Sequence, residues 1–178
     1  MNEYNWYSDI SKDDDLEQGD VIENCNVIMP NEKSYEAILN DDILDVPVEK
    51  IDGIVLSQSC DISNDKIDSI ILCPILPLRQ IKKFEDKRER EILRRGNSPA
   101  YHLLNKFGTK TLEEDYYVVD FHHIYSVPKK FIETLVKSQT RKRLLPPYRE
   151  HLSQSFARYF MRVGLPSSIS EKEIREYH

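Results

Sequence analysis

The apolar positions Val21, Ile22, Val27, Ile28 and Met29 follow Gly19 and stop at Pro30, so residues 20–29 form one strand, bulged near Asn24. Residues 52–58 (Asp-Gly-Ile-Val-Leu-Ser-Gln) and 68–76 (Asp-Ser-Ile-Ile-Leu-Cys-Pro-Ile-Leu) are short β-branched runs between turn formers, a pattern expected of strands covered on both faces. Residues 59–66 connect them. Residues 35–48 mix apolar and acidic positions around Pro47, which fits an edge strand, a loop or a short helix. After Pro77 the pattern turns helical. Residues 79–95 have few apolar side chains but place Asp86 four before Arg90 and Glu91 four before Arg95, which supports an exposed helix ended by Gly96-Asn97. Ser98-Pro99 then reads as an N-cap and first-turn proline opening a short helix through residue 105. A polar loop follows over 106–114, a strand over 116–127, and a helix over 128–137 with Ser126 as candidate cap. The clearest helix spans 148–163. It places Leu152, Phe156, Phe160 and Val163 on one stripe, with Arg149, Ser153 and Arg158 on other faces and Gly164-Leu165-Pro166 as its stop.

Length and composition fix the class more than the task. The 178 residues, 39% hydrophobic and 31% charged with five glycines and nine prolines, suit one domain rather than a collagenous, low-complexity or multidomain chain. Its parts are an acidic arm over 1–18, a β-rich body over 19–127 with a helical insertion at 79–105, and a helical extension over 128–178. No apolar run approaches the roughly 18 residues of a membrane span, and the N-terminus is acidic and aromatic, unlike a signal peptide. A cytoplasmic protein with no membrane partner is expected. Cys25, Cys60 and Cys73 include no CxxC pair and read as reduced thiols.

The net charge of −6 hides a sharper division. Residues 1–78 hold 18 acidic side chains against 4 lysines, a balance of −14, whereas 79–178 hold 21 basic against 13 acidic, a balance of +8. Either the halves pack together and neutralise each other, or the basic half faces an anionic partner.

Phosphate-binding glycine loops, HExxH, GxSxG and paired CxxC motifs are all missing, so no cofactor and no metal are expected. Cys60, Cys73 and a histidine lack standard zinc spacing. The string Ser57-Gln58-Ser59-Cys60-Asp61 puts polar residues at the end of a buried strand, where sites tend to sit. Cys60 beside Asp61 is a poor nucleophile because the carboxylate disfavours a thiolate, and a turn in which Ser57, Gln58 and Asp61 bond backbone is the plainer alternative. In a strand, His122 and His123 point to opposite faces; His122 shares Asp120's face, which makes the pair a candidate general base, while His123 joins Phe121 and Tyr125 as a packed histidine. Arg141-Lys142-Arg143 with Arg149, Arg158 and Arg162, interleaved with Tyr148, Phe156 and Tyr159, suits single-stranded RNA, where bases stack and phosphates pair. A solvated helix face balancing the acidic half is the alternative.

Residues 19–76 resemble the MazF/PemK toxin superfamily of small SH3-like barrels, which are metal-independent endoribonucleases. The likeness lies in Gly19-Asp20-Val21-Ile22 with Pro30, in Ile54-Val55-Leu56-Ser57-Gln58 with Asp61, and in Ile70-Ile71-Leu72-Cys73-Pro74-Ile75. The family's catalytic arginine precedes the first apolar strand, where this chain has Asp52-Gly53, and its hydroxyl residue is replaced by Leu76-Pro77; a carboxylate there repels the scissile phosphate. The Ser-Gln-x-Cys-Asp string and the Pro-Pro-Tyr-Arg-Glu-His stretch also resemble bacterial proteins, a likeness that implies no activity. The expected fold is therefore α+β, a small SH3-like, mostly antiparallel β-barrel (PemK-like) with external helices. The implied function is an RNA-binding or protein-binding module in a bacterial toxin-antitoxin or phage-defence system, its contacts drawn from Ser57, Gln58, Cys60, Asp61, Arg79, Arg141, Arg143, Tyr148 and Arg149. Its partner would be RNA or a protein encoded nearby, with a homodimer as one assembly. One alternative is an endoribonuclease with relocated residues, using His122 with Asp120 as base and Arg79 or Arg143 for the phosphate. Another is a protein adaptor anchored by Trp6 and Tyr7 of the acidic arm.

Overall fold

The computed structural model describes residues 4–161. In chain order the elements are β1 (Tyr7–Ile10), β2 (Val21–Ile28), α1 (Glu32–Leu39), β3 (Val48–Val55), α2 (Ser59–Ser63), β4 (Ser69–Pro77), two 3-10 turns (Leu78–Gln80 and Lys82–Glu85), α3 (Lys87–Arg94), β5 (Tyr101–Phe107), β6 (Asp115–Asp120), β7 (Tyr125–Pro128), α4 (Lys129–Val136), β8 (Arg141–Leu144) and α5 (Tyr148–Phe160). The protein is α+β, and its strand pairs are antiparallel.

The main sheet runs β2-β3-β4-β6-β5, with β7 also on β4. Its strands alternate between two faces, and the period of two sorts the core. Val21, Ile54, Cys73, Ile75 and Val119 point into one cluster with Leu104, Phe107, Tyr117 and Leu152 of α5. Their neighbours Ile22, Val55, Ile70 and Leu72 point the other way, under Ile132 and Val136 of α4 and Ile62 of α2. Val118 joins Phe84 and Leu93 beneath α3. Both faces are thus covered, as the β-branched runs imply, and each such side chain contributes about 1.5–3 kcal/mol by burial.

Two irregularities shape the sheet. The β2–β3 register shifts between Ile22 and Cys25, and Asn24 in the gap has φ 52°, so the expected bulge is present. Residues 115–128 run along one edge of β4 as an interrupted strand. Ile75 pairs with Val119 and Leu72 with Tyr125, so His122 and His123 are carried out of the ladder opposite Cys73 and Pro74, whose missing N–H allows the break.

β1 and β8 form a separate two-stranded ribbon. It touches β2 through a single bridge, Asp20 to Arg143, and through Leu144 N donating to Gly19 O at 2.9 Å. Gly19 needs its freedom here: φ is 86°, and a Cβ would lie 2.9 Å from Leu144 O. On its other side the ribbon meets β5 by side chains alone, Tyr7 Oη donating to Asn105 O at 2.9 Å and the Tyr7 and Phe107 rings lying 4.9 Å apart. The backbone ladder therefore does not close into a barrel among the described residues.

Several local expectations are corrected. The stretch behind Ser98-Pro99 makes one turn, Tyr101 N to Ser98 O, and then becomes β5, because Leu103 and Leu104 find partners on β6. The expected 79–95 helix is two 3-10 turns and the short α3. Asp86 caps α3 by accepting from Arg88 and Glu89 N–H groups rather than pairing with Arg90. Residues 35–48 resolve into α1 and a loop, and α4 starts after Pro128 with no cap from Ser126. α5 follows the expected helix through Phe160, but of the expected stripe only Leu152 and Phe156 pack inward and Phe160 is exposed; Arg162, Val163, its proposed stop and the tail beyond lie outside the described residues.

Candidate nucleic-acid interface

α5 buries Leu152 and packs Phe156 on the interior core. The adjacent stripe, His151, Ser155 and Arg158 at spacings of four and three, therefore faces the end of β5 and the C-terminus of α3. Between these elements lies a cleft of about 420 Å³. The N-terminal arm supplies one wall, where Trp6 stacks on Tyr148 with centroids 3.6 Å apart and planes 9° from parallel. Arg94, Arg95 and Gly96, the turn ending α3, supply the opposite rim, and no aspartate or glutamate lines the cleft among the described residues.

The charges there differ in how free they are. Arg94 and Arg95 share one carboxylate, Glu91, at 2.7 Å each, so the pair keeps a net positive charge at the helix C-terminus. Arg158 donates from Nε to Gln154 O at 3.3 Å and has no ion pair among the described residues. His102 of β5 lies on the floor, with Nδ1 3.0 Å from Ser155 Oγ. Burial, then the positive charge of His151 and Arg158, pulls its imidazole down to about 4, so it is neutral at pH 7. A cleft with stacked aromatics, a net excess of cationic side chains and neutral hydrogen-bonding groups can hold a flexible polyanion that carries flat rings.

The expected site residues are dispersed: of the basic-aromatic cluster Tyr148 and Arg158 line this cleft, joined by Trp6 of the acidic arm. Arg141 is buried: Nε donates to Asp20 Oδ2 at 2.7 Å, and its terminal nitrogens donate to the carbonyls of Ser11, Asp14 and Asp15. Arg143 binds the same Asp20 and Glu17, and Arg149 sits 3.7 Å from Glu17 and 3.2 Å from Glu150. In this cluster the basic and acidic halves neutralise each other, and Arg141 is kept from any phosphate. Arg79 lines another cavity with Asp52, but it is held by Glu113 and by Asp115 at 3.4 Å.

Ser57 is buried and accepts from Ile71 N–H at 2.9 Å, while Gln58 occupies the N-cap position of α2 without a side-chain bond. Cys60 is exposed with Sγ 3.7 Å from Asp61 Oδ1, and Asp61 pairs with Lys66 at 3.8 Å. Ser59 and Cys60 border a larger cavity of about 770 Å³ lined by Asp13, Asp14, Asp15 and Glu17, whose charge opposes a polyanion.

His122 and His123 do not point to opposite faces. Both occupy the turn after β6 and both approach buried Asp120, His122 Nδ1 at 2.7 Å from Oδ1 and His123 Nδ1 at 3.5 Å from Oδ2. His123 is exposed rather than packed, because the break opposite Pro74 lifts it from the sheet. Tyr7 is a core contact and not an exposed anchor. The sequence reading missed His102, whose partner lies 53 positions away, and Arg94 and Arg95. His151 and Ser155 were findable from the helical stripe they share with Arg158. Comparison with protein-family models, with curated proteins and with solved structures finds no match.

Proposed function

We propose that this chain binds single-stranded RNA in the cleft between α3, β5 and α5. The observation that carries the reading is the meeting of Arg94, Arg95 and Arg158 with the stacked Trp6–Tyr148 pair in a cleft that no carboxylate lines among the described residues. Bases add to the aromatic stack, each contributing about 1–3 kcal/mol, and phosphates meet the arginines. Neutral His102, fixed by Ser155, offers its other ring nitrogen to a base edge. The sheet circuit, in which the β1–β8 ribbon meets β2 through backbone bonds and β5 through side chains, is the support for reading the fold as a PemK-like, SH3-like variant. On that reading the protein is a binding module of a bacterial toxin-antitoxin or phage-defence system.

A salt titration of a labelled uridine oligomer tests it. Three phosphate contacts give a log K against log salt slope of about −2, and Arg158→Ala flattens it by about 0.7. Absence of binding at low salt rejects the reading.

A second reading, a metal-independent endoribonuclease, is favoured by one geometry. Asp120 orients half-exposed His122 at 2.7 Å, and the Tyr159 ring of α5 lies 6.1 Å from the imidazole. RNA cleavage in EDTA that His122→Ala abolishes would support it; RNA bound but left intact leaves the binding function alone.

A further inference from the structure

α1 turns its apolar side outward. Its buried residue is polar Ser34, whereas Tyr35, Ile38 and Leu39, one stripe at i, i+3 and i+4, face solvent, Leu39 at 83% exposure. An ordinary surface helix does the reverse. Further exposed apolar side chains follow on the same connection: Ile43 in the loop, 95% exposed, and Ile28 and Val48, which pair where β2 leaves the sheet and β3 enters it.

The arrangement is anchored. Asn31 and Ser34 form a capping box, Ser34 Oγ donates to Asp45 O at 3.0 Å, and Met29 N donates to Pro47 O at 2.8 Å. Helix, loop and hairpin end are thus tied into one surface with the polar side inward. Exposed apolar surface of this extent marks an interaction site rather than scattered surface residues.

The charge around it selects the occupant. Glu32, Glu36, Asp41, Asp42 and Asp45 are carried by the helix and loop that bear these side chains, against Lys33 there and Lys50 on the Val48 face of β3, whereas Glu49 pairs with Val27 on the other face. None of these five acids forms an ion pair among the described residues. A second copy meeting this face symmetrically would bring like charges together. We propose that the face docks an amphipathic helix of another protein, one whose apolar stripe is flanked by lysine and arginine. The cleft between α3, β5 and α5 is lined by no residue of α1, β2 or β3, so this partner and RNA occupy separate surfaces.

The test uses the full chain and a fluorescein-labelled peptide of about 18 residues, long enough for several helical turns, with leucine on one face and lysine on the other. Saturable binding is expected. It weakens roughly tenfold or more with Ile38→Ser and Leu39→Ser combined, both solvent-facing so that the circular dichroism stays unchanged. Glu36→Gln with Asp42→Asn, which leaves the apolar stripe intact, flattens the salt dependence. Equal binding of a scrambled peptide of the same composition, or wild-type affinity in both variants, overturns the proposal, as does absence of binding. Sedimentation showing a dimer that the Ile38 and Leu39 substitutions dissolve assigns the face to a second copy and overturns it too.

Discussion

Replacing Arg141 by methionine removes the guanidinium at the joint between ribbon and sheet. Both Arg141 and Asp20 have fully buried side chains, and the guanidinium makes four bonds: to Asp20 Oδ2 at 2.7 Å and to the carbonyls of Ser11 at 3.0 Å, Asp14 at 2.8 Å and Asp15 at 2.6 Å. Methionine keeps much of the stem's packing and supplies no donor. The three carbonyls belong to exposed residues 11–15, where water takes the lost bonds, so the cost falls mainly on Asp20. A buried carboxylate stripped of its partner costs about 3–5 kcal/mol, and because Arg143 still binds Asp20 the expectation is the lower edge, about 3 kcal/mol. For a chain of this size 1 kcal/mol moves Tm by about 2–4 °C, so Tm falls by about 6–12 °C. Calorimetry and urea denaturation measure it, with RNA affinity followed well below the transition, where it should match the wild type. A Tm change under about 2 °C would refute the reasoning, and a salt slope flattened by about 0.7 would refute it by making Arg141 a phosphate contact.

Two further outcomes follow from other residues. Burial pushes the Cys25 thiol up to about 11 and, with Asp120 nearby, the Cys73 thiol up to about 12, whereas Cys60 is exposed. Native alkylation with iodoacetamide followed by mass spectrometry should therefore modify Cys60 alone. His102, held at about 4 against an ordinary 6.5, is protonated first in the unfolded chain as pH falls, so its contribution is complete above 6.5 and fades through the window down to 4. Urea midpoints between pH 7.5 and 4.5 should fall more steeply for wild type than for His102→Asn, by the order of 2 kcal/mol; parallel curves contradict this.

The strands β2, β3 and β4 were legible because dense apolar runs and glycine or proline punctuation act locally. β5 was not, since Ser98-Pro99 imitates a helix start and only pairing with β6 makes Tyr101–Phe107 a strand. β1 and β8 carry polar, charged sequences whose pairing spans nearly the whole chain, Tyr7 opposite Leu144, and no local pattern announces it. For the same reason Arg141-Lys142-Arg143 looked like a surface run. Its alternation in β8 sends Arg141 to Asp20 inside and Lys142 outward to Asp9 at 2.7 Å. The aromatic-basic character of the C-terminal helix was visible, but which arginine stays unpaired depended on where the acidic half folds back.

Trp6 is the chain's one tryptophan and stands in the cleft wall against Tyr148, so its own fluorescence reports occupancy without a label. Titrating the protein with a single-stranded uridine oligomer at low salt should quench that emission saturably, with Arg158→Ala shifting the midpoint to higher RNA concentration and a duplex of equal length producing little change. Emission that stays constant while RNA binds elsewhere, or quenching indifferent to Arg158, would contradict the assignment of the cleft.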